Sequence, residues 1–235
     1  MCSYETVRRQ IIEACLSLSD KGWLSGTGGN VSMRIPGEAA MAITPSNMDY
    51  RAMTVDDVCV VDWSLSPLAG ERKPSVESGM HAGVYQARQD VGAVVHTHQP
   101  YASAVALLAR PIPALFDEQA RFLGRSVEII PYAISGTGWL KGNVMRQIKS
   151  GNNAYILENH GALCFGPTLA RAAFNVELLE KCAITYLLAL CTGEKVHRLN
   201  PAIRELILTR LRADEKRAAE TFARGEMIDE GQHSY

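Results

Sequence analysis

The chain has 235 residues, of which 47% are hydrophobic, and its 24 basic residues are balanced by 25 acidic ones. This balance, without a basic block or stripe, argues against nucleic acid as the main partner, because phosphate neutralisation requires clustered Lys and Arg. No apolar run reaches transmembrane length and no signal-peptide pattern is present, so neither a membrane span nor secretion is expected. The six cysteines are scattered without Cys-x-x-Cys spacing and several lie in apolar patterns, which predicts buried thiols in a reducing cytoplasm.

Helical and strand patterns alternate along the chain, and no linker divides it. In chain order they predict a helix over 7–18, strands over 31–35 and 41–43, a helix start at 54–57, a strand over 58–63 paired with the preceding strand, a helix carrying Glu77, His81 and Tyr85, a strand over 91–95, a helix over 101–108, a strand over 127–131, a helix over 136–148, strands over 153–157 and 163–165, and helices over 169–190 and 201–224. The alternation predicts one α/β domain over residues 1–235, in which helices cover a central sheet. Roughly residues 200–235 form its C-terminal helical extension.

Two histidines stand at the end of the predicted strand 91–95, in the sequence His96-Thr97-His98. Side chains in a strand alternate between the faces of the sheet, so residues two apart point the same way. The two imidazoles therefore converge on one side, where a divalent metal could bind both. An isolated His-x-His pair is also compatible with packing at a strand end, and the rest of the sequence must decide between these interpretations.

A third histidine, His160, follows the apolar stretch that ends at Leu157. Three neutral imidazoles with one open coordination position are the ligand set of a catalytic zinc site rather than a structural one. The sequence therefore predicts a divalent metal bound by His96, His98 and His160, with Zn²⁺ preferred and Mn²⁺ as the alternative.

Glu77 is the candidate acid/base residue. It follows Ser75 in the first turn of a predicted helix, where the helix N-terminus favours an ionised carboxylate. A carboxylate beside a three-histidine metal site can act as a fourth ligand and then as the acid/base group when substrate displaces it. On its own, Glu77 would equally fit an ordinary solvated helix start. His81, one turn later, is expected to support packing or the surroundings of the site rather than to bind metal.

Three polar turns supply further groups, at residues 25–30, 44–47 and 73–75. The glycine-rich turn precedes a strand instead of opening a helix, so a dinucleotide fingerprint is the wrong interpretation. Its backbone N–H groups could instead face an anion or a polyhydroxylated substrate. The predicted substrate-binding residues of these turns are Gly29, Asn30, Thr44, Ser46 and Ser75.

The sequence resembles the class II aldolase/adducin family from about residue 7 to residue 190. The resemblance rests on a series of motifs, which are specific in this order and spacing: Gly26-Thr27-Gly28-Gly29-Asn30-Val31-Ser32, Ile43-Thr44-Pro45-Ser46, Pro74-Ser75-Val76-Glu77 with His81, Val95-His96-Thr97-His98, Pro131-Tyr132-Ala133 and Glu158-Asn159-His160-Gly161. It implies a three-layer α/β/α class II aldolase fold, zinc or another divalent ion on the three histidines, and Glu77 as the acid/base residue. It also implies a homotetramer with active sites at the subunit interfaces.

Two departures from the family pattern concern the substrate. Phosphosugar members commonly have a second serine at the position of Val76 and a glycine at the position of Asn47. Valine removes a hydroxyl donor, and a side chain at Asn47 obstructs close backbone approach, so a weakened or absent phosphate site is expected. The segment 116–121 also lacks the tyrosine that sugar-phosphate aldolases direct at the neighbouring subunit. Asp117 could donate a proton or Arg121 could hold a carboxylate there, and either could equally be structural.

The predicted function is that of a metal-dependent carbon–carbon lyase acting on a small molecule. The favoured reaction is retro-aldol cleavage of a ketose, a ketose phosphate or a related hydroxy-keto compound through a metal-stabilised enediolate. Decarboxylation of a non-phosphorylated hydroxy or keto acid is the alternative, because it shares the carbanion intermediate. Sugar-phosphate epimerisation and a non-enzymatic, adducin-like module rank below these two. The module is disfavoured because the three histidines and Glu77 are all present.

Overall fold

The computed structural model describes residues 4–228. Its seven α-helices are α1 (Tyr4–Asp20), α2 (Ser78–Ala87), α3 (Pro100–Leu108), α4 (Asp117–Phe122), α5 (Gly138–Gln147), α6 (Leu169–Cys191) and α7 (Pro201–Ala223). Its nine strands are β1 (Asn30–Arg34), β2 (Ala40–Ile43), β3 (Cys59–Asp62), β4 (Pro67–Ala69), β5 (Ala93–Thr97), β6 (Ile112–Pro113), β7 (Ser126–Ile130), β8 (Ala154–Leu157) and β9 (Gly161–Gly166).

The strands form one nine-stranded sheet in the order β4-β3-β2-β1-β5-β9-β8-β7-β6. Only β7 and β8 pair in parallel, and every other neighbouring pair is antiparallel. The predicted pairing of the strand at 58–63 with the strand before it is confirmed, since β3 pairs with β2. The mixed sheet with flanking helices confirms the predicted α/β class.

Each face of the sheet is covered by its own apolar cluster. Alternation along β5 places Ala93 and Val95 in the cluster that contains α1, α3 and α6, whereas Val94 lies in the cluster that contains α2 and α5. His96 has the same parity as Val94. Its ring therefore faces the α2 side of the sheet, and this decides which helix can contribute to its surroundings.

The helices predicted from periodicity are present with boundaries shifted by a few residues. In α1 the buried Val7, Ile11 and Leu18 form the expected apolar stripe, together with the thiol of Cys15. Thr168 caps α6 by accepting a hydrogen bond from the backbone N–H of Arg171, and this cap fixes where α6 begins. The C-terminal extension is α7 up to Ala223, and its predicted end at residue 235 lies outside the described residues.

Three short elements were not predicted: β4, β6 and α4. They have three, two and six residues, which is too short for a periodic pattern to form. The predicted helix start at residues 54–57 is a single 3₁₀ turn, Val55–Asp57, with the expected capping box between Thr54 and Asp57.

The cysteines in the described part of the chain are free thiols, as expected. Those at 15, 59, 164 and 182 are buried and Cys191 is exposed, while Cys2 lies outside the described residues. Among residues 4–228, none of the helices combines the length and the hydropathy that a membrane crossing would require.

Candidate metal and acid/base site

The site lies where the end of β5 meets the turn between β8 and β9. The strands β5 and β9 are neighbours in the sheet, and they pair so that Thr97 lies opposite Ala162. The turn residue His160 is therefore carried to the end of the strand that holds His96 and leads into His98. Sheet pairing thus brings His160 to the pair formed by His96 and His98, from a distant part of the sequence.

The three imidazoles form a compact cluster. The Nε2 atoms of His96 and His98 are 3.0 Å apart, and the ring of His160 lies 4.7 Å from that of His96 between centroids. One potential ligand atom from each ring can be chosen so that all three lie within 4.8 Å of one another. This spacing fits a single divalent ion bound by three nitrogens.

Gly161 makes this convergence possible. A Cβ atom at this position would lie 2.5 Å from the carbonyl oxygen of Thr97 and 2.6 Å from Cδ2 of His98. Such contacts are well inside van der Waals separation, so any side chain at residue 161 would push the β9 start away from the histidine pair.

The environment of His96 and His98 suits neutral metal ligands. The Nδ1 atom of His96 lies 2.8 Å from the carbonyl oxygen of Ala162, which fixes the proton on Nδ1 and leaves Nε2 as the ligand atom. Burial lowers the pKa of His96 and of His98, so both rings carry a free nitrogen lone pair at neutral pH. The donor set therefore fits a divalent metal of the zinc type.

Glu77 stands at the N-cap of α2, directly before Ser78, and its carboxylate faces two of the histidines. The Oε2 atom lies 3.3 Å from Nε2 of His96, and Oε1 lies 3.6 Å from Nε2 of His160. The side chain is only 5% exposed. The predicted proximity of Glu77 to the histidines is thus observed, on the face of the sheet that strand alternation assigns to His96.

Each carboxylate oxygen of Glu77 also accepts one hydrogen bond. The Asn30 amide nitrogen donates to Oε2 over 2.7 Å, and the Ser135 hydroxyl donates to Oε1 over 2.7 Å. Burial by itself disfavours the charged form, but the hydrogen bonds from Ser135 and Asn30 favour it, and the pKa of Glu77 lies below its usual range. The carboxylate is therefore ionised and fixed at both oxygens.

His81 does not belong to the metal cluster. Its Nδ1 atom lies 2.7 Å from the hydroxyl of Ser32, which in turn lies 2.8 Å from the hydroxyl of Tyr85. Burial lowers the pKa of His81 to about 3, so the ring is neutral. The structure thus places His81 in a buried polar network that anchors α2 to β1, one turn after Glu77.

The predicted substrate residues divide into two groups. Asn30, Ser75 and Thr44 are buried, and each uses a side-chain polar atom in a hydrogen bond within the protein. The Asn30 amide nitrogen donates to the carboxylate of Glu77. The Ser75 hydroxyl accepts a hydrogen bond from the backbone N–H of Glu77 over 3.3 Å. The Thr44 hydroxyl accepts one from the backbone N–H of Val31 over 3.3 Å. Thr44 is fully buried and supports the sheet, so its predicted side-chain contact with substrate receives no support from the structure.

Gly29 and Ser46 belong to the second group, in partly exposed turns. Gly29 has a φ of +81°, and a Cβ atom there would lie 2.6 Å from the carbonyl oxygen of His96, so glycine is required. The N–H of Ser46 donates to the carbonyl of Lys73, which joins the turns 44–47 and 73–75. Asn47 has a φ of +61°, a conformation that asparagine tolerates, so the backbone keeps a glycine-like shape while the side chain is exposed.

Arg121, in the segment 116–121, forms an ion pair with Asp214 of α7, which supports a structural role for this arginine.

Ser135 was not predicted at all, although it lies two residues after the motif Pro131-Tyr132-Ala133. A single serine in a loop carries no periodic signal, and only the fold shows that it reaches Glu77.

Sequence comparisons relate residues 9–187 to the family model described as the class II aldolase and adducin N-terminal domain. The L-fuculose phosphate aldolase of Escherichia coli strain K12 is 35% identical over 188 residues, covering 80% of this chain and 86% of that protein. The 5-deoxy-D-ribulose 1-phosphate aldolase of Bacillus thuringiensis serovar kurstaki is 34% identical over 188 residues, covering 80% of this chain and 87% of that protein.

Solved structures are similar over most of the chain as well. An L-fuculose 1-phosphate aldolase superposes with a TM-score of 0.84 at 34% identity, covering 90% of this chain and 98% of the other. The L-fuculose-1-phosphate aldolase of Thermus thermophilus superposes with a TM-score of 0.68 at 25% identity, covering 80% of this chain and 97% of the other. The fold that carries the histidine cluster is thus shared with aldolases.

Proposed function

The chain belongs to the class II aldolase and adducin family and is an aldolase-type lyase, and from this premise we propose that it cleaves a ketose 1-phosphate by a retro-aldol reaction. The names of its relatives supply the substrate class, since they act on L-fuculose phosphate and on 5-deoxy-D-ribulose 1-phosphate. The observation that carries the proposal is the contact of a buried carboxylate, Glu77, with a three-histidine cluster. This pairing offers an electrophile site and a proton-transfer group side by side.

The three histidines are proposed to hold a divalent ion, with Zn²⁺ preferred, through Nε2 of His96, His98 and His160. Bound there, the ion would supply Lewis-acid polarisation of the substrate carbonyl. His96 is kept in the required tautomer by the carbonyl of Ala162, and its burial excludes water from one side of the cluster. The chain thereby provides His96 as a ligand that is already in the required tautomer.

Glu77 is proposed to carry the proton. The ionised carboxylate would take up the proton that the substrate hydroxyl releases as its carbon becomes the aldehyde carbonyl, and would deliver it to the carbon that retains the bond electrons. In the synthetic direction it would remove that proton and return it to the new hydroxyl. Asn30 and Ser135 hold the two carboxylate oxygens, so the group is aimed before substrate arrives. The turns that contain Gly29, Ser46 and Ser75 are proposed to bind the remainder of the substrate.

Decarboxylation of a non-phosphorylated hydroxy or keto acid is a second candidate, favoured by the surface beside Glu77. Val76 is 60% exposed at this point and presents an isopropyl group where a hydroxyl would assist an anion. The same proton transfer from Glu77 would follow loss of CO₂. The two candidates therefore differ in the leaving fragment and not in the residues that act.

We also propose a cytoplasmic homotetramer whose active sites lie near subunit interfaces. Tyr132, Ile134 and Trp139 are 56%, 59% and 76% exposed, and all lie in or just after the loop that contacts Glu77. Large apolar side chains exposed together are typical of an interface. Light scattering combined with size-exclusion chromatography would measure the assembly.

An assay panel tests the function directly. Metal-loaded protein is given phosphorylated and unphosphorylated ketoses, and separately hydroxy and keto acids, with aldehyde and CO₂ detected independently. Aldehyde release from a ketose 1-phosphate supports the proposal, and CO₂ release establishes the second candidate. Activity on none of these compounds, with the divalent ion bound, would contradict both.

A further inference from the structure

The loop of residues 131–137, which connects β7 to α5, contacts the site at two places. The Ser135 hydroxyl donates to Oε1 of Glu77 over 2.7 Å. The backbone N–H of Tyr132 donates to the carboxylate of Glu158 over 3.0 Å, and Glu158 lies two residues before His160. The 131–137 loop is thus tied to the helix that carries Glu77 and to the turn that carries His160.

The contact at Ser135 is reinforced by packing next to it. Gly136 has a φ of +72°, and a Cβ atom there would lie 3.3 Å from Cβ of Val76, the residue before Glu77. The loop backbone therefore rests on Val76 while the adjacent hydroxyl reaches Glu77. This close approach places the Ser135 hydroxyl beside Glu77.

The two donors to Glu77 differ in their surroundings. Asn30 is 3% exposed at the start of β1, inside the sheet, whereas Ser135 belongs to an exposed loop. The oxygen that Ser135 binds is also the one that faces Nε2 of His160. One arm of the carboxylate is therefore fixed by the rigid sheet and the other by a surface loop.

We propose that Ser135 is a positioning residue for the acid/base carboxylate, whose hydroxyl fixes the Glu77 oxygen facing His160 and couples the 131–137 loop to the site. Without this donor, Oε1 has no hydrogen-bond partner from the loop, and the carboxylate can rotate about its remaining bond to Asn30. The role of the carboxylate in turnover rests on the proposed function, whereas the coupling of loop and carboxylate does not.

Hydrogen–deuterium exchange of the metal-free protein tests the coupling without any substrate. The reporters are the loop amides, including those of Tyr132 and Thr137, which are hydrogen-bonded in the structure. Ser135→Ala should raise their exchange rates about tenfold, as expected for loss of a hydrogen bond to a charged group. Glu77→Met, which keeps side-chain volume but removes both acceptor oxygens, should raise them equally. The double variant should exchange no faster than either single variant.

Thr137→Ala is the matched control. The Thr137 hydroxyl caps α5 by accepting from the N–H of Leu140 and donates to the carbonyl of Ile134, and among the hydrogen bonds of the described residues none joins it to Glu77. Loss of the Thr137 hydroxyl should loosen the first turn of α5, and the resulting increase in amide exchange should add to that of Ser135→Ala. The coupling would be overturned if the increases in exchange rate caused by Ser135→Ala and Glu77→Met were additive. It would also be overturned if Ser135→Ala left the exchange rates unchanged.

Kinetics on the substrate identified by the assay panel complete the test. Ser135→Ala should lower kcat about tenfold and leave KM within about threefold, with the bound metal unchanged. Ser135→Thr, which restores a hydroxyl, should recover most of kcat. A Ser135→Ala variant with wild-type kcat would refute the positioning role even if the exchange experiment shows coupling. Absence of any activity in wild-type protein would instead count against the proposed function.

Discussion

Oε2 of Glu77 lies 3.3 Å from Nε2 of His96, so the candidate acid/base group and a candidate metal ligand are immediate neighbours. The two residues come from different elements, the N-cap of α2 and the strand β5. They meet because the ring of His96 points to the sheet face that α2 covers.

Removal of two histidines should abolish metal binding. The variant His96→Ala/His98→Ala leaves one imidazole, which is too few ligands for a three-nitrogen site. Calorimetric titration with Zn²⁺ should show binding to the wild type and none to this double variant. At a hundredfold excess over Kd, the metal should stabilise wild-type protein by about 2.7 kcal/mol and leave the variant unaffected. His197→Ala, which alters an exposed histidine, should behave as wild type. Equal binding by all three proteins would contradict the ligand assignment.

Glu77→Gln should keep the metal and lose turnover. Gln retains the shape of the side chain and can still accept hydrogen bonds, but it cannot carry a proton. General acid–base catalysis contributes roughly 10²- to 10⁴-fold, so kcat should fall by that factor. Metal content measured by mass spectrometry is the control and should stay at the wild-type level. Full activity on the true substrate would remove Glu77 from its assigned role.

Gly161→Ala should disrupt the cluster from the β9 side. The added methyl would lie 2.5 Å from the carbonyl oxygen of Thr97, so the strand or the His98 ring must shift. Overpacking of this kind costs about 1–3 kcal/mol of folding free energy, and metal affinity should fall with it. Gly142→Ala in α5 is the control, since nothing lies within 4 Å of its added Cβ. That substitution should stabilise the helix by up to about 1 kcal/mol. Similar effects of the two substitutions would show that the space at residue 161 is not required.

Val76→Thr should favour phosphorylated substrates. Threonine has nearly the shape of valine and adds a hydroxyl at a position that is 60% exposed beside Glu77. A hydrogen bond to a charged group is worth about 1.5–3 kcal/mol, so kcat/KM should rise at least about tenfold for phosphorylated over unphosphorylated ketoses. Val76→Ala controls for the lost methyl groups and should not change the preference. An unchanged ratio in Val76→Thr would show that phosphate does not approach this residue.

Asp57 should make folding stability depend on acid pH. Hydrogen bonds from the hydroxyl and the backbone N–H of Thr54, followed by the side chain of Arg72, lower the pKa of Asp57 from 3.8 to about 2. Because the folded-state pKa is depressed, this stabilisation is present above pH 3.8 and is lost as pH falls toward about 2.

Asp57→Asn should therefore lower the free energy of unfolding by about 1 kcal/mol near neutral pH, which is the usual contribution of a helix cap. The difference from wild type should shrink as the pH is lowered through this window. Urea unfolding at a series of pH values measures it. Asp56→Asn, which changes an exposed neighbour, should cost much less. A difference between Asp57→Asn and wild type that does not vary with pH would contradict the assignment.

Sequence patterns predicted that His96 and His98 lie side by side because the relevant physics is local. Alternation along a strand is enough to place His96 and His98 on one side, and the sheet confirms it with Nε2 atoms 3.0 Å apart. The same holds for α1, α6 and α7, whose apolar periods extend over many residues. The strand β6 and the helix α4 escaped prediction because no period can be established over two strand residues or six helical ones.

The sequence by itself determined the α/β class and the aldolase family, and it supplied the three histidines and the glutamate on which the proposed metal-dependent chemistry rests. Only the tertiary structure decided how the glutamate is held. Asn30 reaches Glu77 because β1 pairs with β5 so that Asn30 lies opposite His96, and Ser135 reaches it because the 131–137 loop packs on Val76. Such contacts join residues 47 and 58 positions apart, and they depend on strand order and loop packing, which no local pattern encodes.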